Sequence, residues 1–61
     1  MDTLNRFMVS KYAEGEVIIM SPPRGPMTGD QAMMLAAWLI SMALMTSDLD
    51  IKDCVEAVEN T

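Results

Sequence analysis

Hydrophobic and polar positions divide the chain into segments with different periodicities. Residues 5–21 contain two runs rich in strand-forming residues, 6–12 and 17–21, on either side of a short segment that includes Gly15. Glycine readily adopts the positive φ that a tight connection between two strands requires. The pattern predicts a β-hairpin over residues 5–21. Residues 22–27 follow as a proline-rich connector, because proline cannot donate a hydrogen bond to a strand ladder.

Both faces of this predicted hairpin carry apolar side chains. If Tyr12 pairs with Glu16, the two faces hold Phe7, Val9, Val17 and Ile19 on one side and Met8, Tyr12, Ile18 and Met20 on the other. A two-stranded hairpin is marginally stable at best in water. We therefore expect a helix on one face and a further contact on the other face or at the edge of the hairpin.

The next segment is almost entirely apolar. Thr28 and Gln31 have the spacing of a capping box, which predicts that a helix begins here. From residue 32 to residue 45 every residue except Ser41 is apolar. Fourteen helical residues span about 21 Å, which is short of the ~30 Å apolar core of a bilayer. The pattern favours a buried helix over residues 28–46 rather than a membrane span.

The last segment is amphipathic and acidic. Its apolar residues follow the spacing i, i+3, i+4, i+7 and are Ile51, Cys54, Val55 and Val58. This predicts a helix over residues 48–59 that forms an antiparallel helical hairpin with the preceding helix. The expected order is β-β-α-α, an α+β fold in a single domain over residues 1–61.

Composition indicates how such a small domain is stabilised. Of 61 residues, 51% are hydrophobic, and there is one cysteine and no histidine. These numbers exclude an internal disulfide and a Cys/His zinc site, so oligomerisation remains as the means of stabilisation. We expect a homo-oligomer whose interface includes Ala32, Met34, Ala36, Trp38, Leu39, Met42, Ala43 and Met45. The alanines among them could equally seat the hairpin or the last helix.

Charge excludes several classes of partner. The net charge is −5, and the four basic residues Arg6, Lys11, Arg24 and Lys52 are scattered. Nucleic-acid binding requires clustered cations, so we expect no nucleic-acid partner and no anionic membrane partner. A single cysteine fits a reducing compartment, and the N-terminus lacks the pattern of a secretory signal, so we predict a cytoplasmic protein.

One group of residues is a candidate ligand site. Arg24, Thr28 and Gly29 place a cation, a hydroxyl group and backbone N–H groups at a predicted helix N-terminus, where phosphate binds readily. The alternative interpretation of these residues is an ordinary capped helix that follows a proline turn and binds no ligand. Without histidine, no Ser-His or Cys-His dyad can form. We expect a protein that is not an enzyme and that has no cofactor and no metal.

The segment from Pro22 to Leu44 resembles small accessory proteins of tailed bacteriophages. The resemblance rests on Pro-Pro-x-x-Pro-Met at 22–27 and on the run Asp30-Gln31-Ala32-Met33-Met34-Leu35-Ala36-Ala37-Trp38-Leu39. Met34 and Ile40 depart from the usual residues. The resemblance implies a phage or prophage origin, a host bacterial cytoplasm, and action against host functions or anti-phage defence. The binding partner would be a host protein or a small phosphorylated ligand. A structural subunit of a phage assembly and a membrane-active protein are the alternatives.

Overall fold

Two strands and two helices follow one another in the computed structural model, which describes residues 4–61. The elements are β1 (Val9–Tyr12), β2 (Glu16–Ile19), α1 (Gly29–Ala43) and α2 (Ile51–Glu59). The order β-β-α-α confirms the predicted α+β fold. Residues 1–3 of the predicted domain lie outside the described residues.

Each element is shorter than the segment predicted for it. Helix α1 ends before Leu44, where the chain continues into hydrogen-bonded turns such as Thr46 N–H to the Ala43 carbonyl at 3.0 Å. Helix α2 begins only after Asp50, whose carboxylate accepts a hydrogen bond from Lys52 N–H at 2.8 Å. Strand propensity and helical periodicity extend beyond the residues that form regular structure, since helix ends fray into turns.

The strands β1 and β2 form an antiparallel hairpin with the predicted register. Tyr12 is opposite Glu16, and Val9 is opposite Ile19. In the connection, Gly15 has the expected positive φ of 76°. Ala13 also has a positive φ of 43°, a conformation that costs a residue with a side chain about 1–2 kcal/mol.

Before β1 the chain turns instead of continuing as a strand. Met8 has φ 51°, and its N–H donates to the Asn5 carbonyl at 3.1 Å. Backbone bonds from Met20 N–H to the Met8 carbonyl (3.2 Å) and from Ser21 N–H to the Phe7 carbonyl (3.1 Å) still tie this turn to the chain beyond β2. The predicted hairpin over 5–21 is therefore held together along its length, but its first residues form a turn.

The core of the described chain is very small. Helix α1 packs on both strands. Val9, with 2% of its surface exposed, is the one residue within 4–61 that is fully buried, and neither helix contains a fully buried residue. Many large apolar side chains are exposed instead: Leu4, Met8, Tyr12, Met20, Met33, Leu44, Met45, Leu49, Ile51, Val55 and Val58. A small chain leaves much of its surface in water, and here the exposed part is rich in apolar groups.

Helix α2 has little contact with the rest of the fold. The expected antiparallel helical hairpin is not formed, because α2 has no extended packing against α1. Its beginning borders a small cleft of about 130 Å³ at the end of α1, lined by Ile40, Ala43, Leu44, Ser47, Leu49, Ile51 and Cys54. Val55 and Val58 on the apolar stripe are exposed. In residues 4–61, no helix combines the length and the apolar character needed to cross a membrane.

Candidate binding groove

A concave surface of the described chain lies between residues 4–7 and the first turns of α1. Its volume is about 610 Å³. This is within the range of pockets that bind ligands or the side chains of a partner. The lining residues are Leu4, Asn5, Arg6, Phe7, Asp30, Gln31, Met33, Met34, Leu35, Ala37 and Trp38. We call this surface the groove.

The side chain of Asn5 fixes the first wall of the groove. Its amide nitrogen donates to the Val9 carbonyl at 2.9 Å, and its amide oxygen accepts from Val9 N–H at 2.9 Å. These two bonds reproduce the pair that a neighbouring strand residue would make. Residues 4–7 are thereby held beside the outer edge of β1.

A complete capping box fixes the second wall. The Thr28 hydroxyl accepts from Gln31 N–H at 3.1 Å, and the Gln31 side-chain oxygen accepts from Thr28 N–H at 3.0 Å. Both hydrogen bonds follow from the predicted spacing. They set the start of α1, and with it the positions of Met33, Met34 and Trp38 in the turns that line the groove.

The groove offers a mainly apolar surface with polar groups near the start of α1. Asn5 and Gln31 already use their side chains in hydrogen bonds within the chain. The wall from α1 contributes two methionines and the single tryptophan. Methionine adapts its shape to irregular partners, and tryptophan is frequent at the energetic centre of interfaces. The groove is therefore suited to apolar side chains from another molecule.

The residues predicted as an oligomer interface lie in α1, except Met45, which follows its end. Met34 and Trp38 line the groove, whereas Ala32, Ala36 and Met45 lie outside it. The remaining three are half-buried: Leu39, Met42 and Ala43. The oligomer interface over these eight residues stays a prediction.

The predicted anion site lies at the start of α1. Arg24, Thr28 and Gly29 are all exposed. The capping box uses both the hydroxyl group and the N–H group of Thr28, so fewer donors remain for a ligand at this end than the sequence indicates.

Sequence reasoning missed residues 4–7 as a wall of the groove, because residues 6 and 7 were predicted in the first strand and residue 4 lay outside the predicted hairpin. Asn5 carried a signal, since asparagine often bonds backbone groups a few residues along the chain. That signal is too general to identify the partner, and the turn between Asn5 and Val9 includes a positive φ at Met8, which the sequence does not indicate.

Neither metal-binding groups nor known relatives add to this description. Across residues 4–61, the structure places no three His, Cys, Asp or Glu side chains together as a metal site. Comparisons with protein-family models, with curated proteins and with solved structures give no match.

Proposed function

We propose that this protein is a non-enzymatic accessory protein that acts by stoichiometric binding, and that its binding surface for another protein is the groove. The observation that carries the proposal is the groove itself. It is about 610 Å³ in volume, is lined mainly by apolar side chains, and lies in a chain with one fully buried residue among those described.

The apolar lining of the groove is partly open to solvent. Leu4 and Met33 belong to its lining and are both exposed, Met33 by 74%. Together with Trp38 they supply apolar surface to the lining of the groove. An amphipathic helix placed on such a surface buries its apolar side chains at helical spacing. The net charge of −5 favours a partner helix whose polar face is basic.

The proposed biological setting rests on the resemblance of Pro22–Leu44 to phage accessory proteins. In that setting the partner is a host protein, and binding counteracts a host function or an anti-phage defence in the bacterial cytoplasm. Sequestration of a small phosphorylated ligand at Arg24 and Gly29 has less support, since the capping box already occupies Thr28. A structural subunit of a phage assembly is the alternative class.

A matched pair of charge substitutions tests the groove. We expect Met33→Glu, in the groove, to reduce recovery of the bound host protein at least about tenfold, because a charge is costly to bury in an apolar interface. Val58→Glu introduces the same charge on α2 at a side chain that is 75% exposed, and it should leave recovery unchanged. The measurement is quantitative mass spectrometry of complexes isolated from bacterial lysate with each variant.

Native mass spectrometry of the same samples separates the alternatives. A host protein in 1:1 ratio that is lost with Met33→Glu supports the groove. A bound species of nucleotide mass that is lost with Arg24→Ala would support the phosphorylated ligand instead. Equal recovery with both glutamate variants would contradict the proposal, and large assemblies of the chain without a host protein would favour the structural subunit.

A further inference from the structure

The backbone of β2 presents hydrogen-bonding groups at the outer edge of the hairpin. Opposite residues in an antiparallel pair alternate between bonded and non-bonded pairs. The bond from Met20 N–H to the Met8 carbonyl places the bonded pairs at Ser10–Ile18 and Tyr12–Glu16. The N–H and C=O groups of Val17 and Ile19 therefore point away from β1.

The two edges of the hairpin differ in their protection. On the β1 edge, the Asn5 amide occupies both outward groups of Val9 at 2.9 Å. On the β2 edge, no hydrogen bond within residues 4–61 reaches the outward groups of Val17 or Ile19. Native sheets block exposed edges with proline, inward charges, bulges or covering segments. Strand β2 contains no proline, and its one charged residue, Glu16, stands at its first position.

We propose that a second copy of this chain pairs with the β2 edge, antiparallel, about a two-fold axis at Ile18. In this register Val17 is opposite Ile19 of the other copy, and Ile19 is opposite its Val17. Both residues point their N–H and C=O groups outward, so the pairing satisfies all of these groups at once. Ile18 meets its own equivalent at the axis in a non-bonded pair, where side chains approach most closely.

The register avoids charge repulsion within the paired strands, although each copy carries a net charge of −5. The acidic residue of the strand, Glu16, is opposite Met20 of the other copy, so no like charges face each other in the pairing. The strand is otherwise apolar, with Val17, Ile18 and Ile19 all half-buried already. A register in which Val17 meets its own equivalent would place Ile19 against Gly15 in the turn, with fewer strand residues paired.

The pairing also resolves the marginal stability of the hairpin. Two strands become a four-stranded sheet in the order β1-β2-β2-β1, which meets the requirement for three or more strands. The axis is perpendicular to the sheet, so the α1 helices of both copies lie on the same face. Because residues 4–7 lie beside β1, the two grooves remain at the outer ends of the sheet. Self-pairing and partner binding thus use separate surfaces.

Proline substitutions at matched edge positions test the proposal. Val17→Pro removes an outward N–H group without removing a bond to β1. We expect it to raise the dimer dissociation constant roughly 10- to 100-fold, since two hydrogen bonds of the dimer are lost. Lys11 lies opposite Val17 and also points its N–H outward, on the β1 edge, so Lys11→Pro should leave dimerisation unchanged. Sedimentation equilibrium measures each variant against the monomer mass of 6.7 kDa.

If Val17→Pro fails to fold, a cross-linking experiment tests the pairing of two copies at the β2 edge. In a Cys54→Ala background, Ile18→Cys should form an intermolecular disulfide on mild oxidation, because the two Cα atoms would lie about 4.5–5.5 Å apart. Ser10→Cys, on the same face of the sheet but on β1, should form no intermolecular disulfide, because the two Ser10 positions lie far apart in the paired sheet. A wild-type chain that is monomeric at millimolar concentration would overturn the proposal. So would equal dimer dissociation constants for the Val17→Pro and Lys11→Pro variants, or equal disulfide yields for the Ile18→Cys and Ser10→Cys variants. Loss of partner binding by Met33→Glu does not depend on any of these results.

Discussion

The helices α1 and α2 contrast in how far sequence pattern and packing agree. Helix α2 has the cleaner pattern, a single apolar stripe opposite a charged face, yet its Val55 and Val58 are exposed. Helix α1 is apolar on all sides, yet it packs on both strands and contributes one wall of the groove. Periodicity indicates that a helix has an apolar face, but it does not identify what covers that face.

The difference follows from the way each helix is connected and placed. Helix α1 starts at the capping box after the proline-rich connector and packs on the hairpin, in which Val9 is buried. Helix α2 follows a segment of exposed residues and borders only the end of α1. The stability of the fold should therefore reside in the hairpin and α1, and paired substitutions can measure this.

The largest contrast is expected between two valines. Val9→Ala removes two methyl groups from the buried position and should lower the free energy of unfolding by about 2 kcal/mol, through lost burial and a residual cavity. Val58→Ala makes the same change on the exposed stripe of α2 and should stay within about 0.5 kcal/mol. Urea unfolding followed by circular dichroism measures both. Equal losses would show that α2 is part of the core.

A smaller contrast is expected between two asparagines. Asn5→Ala removes both bonds to the Val9 backbone and should lower the free energy of unfolding by about 1.5 kcal/mol. Asn60→Ala, at the end of α2, should have an effect below about 0.5 kcal/mol. The same unfolding assay applies. In addition, hydrogen exchange of Val9 N–H should become faster with Asn5→Ala, and unchanged exchange would contradict its role at the β1 edge.

The smallest contrast concerns the two helix caps. Thr28→Ala disrupts the capping box of α1 and should lower the free energy of unfolding by about 1 kcal/mol. Asp50→Ala removes the cap of α2 and should reduce its helicity while global stability changes by less than about 0.5 kcal/mol. Residue-resolved NMR separates local loss of α2 from global unfolding. If Asp50→Ala lowered the global free energy of unfolding as much as Thr28→Ala does, the conclusion that α2 contributes less to global stability than α1 would be wrong.

The elements that local sequence determines were predictable. Gly15 supplied the turn, Tyr12 and Glu16 set the register, and Thr28 with Gln31 formed the capping box. The groove was not predictable in the same way, because it depends on how residues 4–7 lie against α1. In that arrangement the Asn5 side chain makes the hydrogen bonds that a neighbouring strand would make, and Met8 has a positive φ. Neither feature follows from residue propensity.

The connectivity has a consequence for the rate at which the chain acquires its structure. A three-residue turn joins β1 to β2, and α1 follows after a connector of nine residues. The contacts between β1 and β2 are therefore local, whereas α1 packs on β1 across the turn, β2 and the connector. Domains with such a mixed topology fold more slowly than helical bundles and faster than all-β domains. The hairpin and α1 pack on each other without a substantial contact from α2, so we expect this rate to be independent of α2.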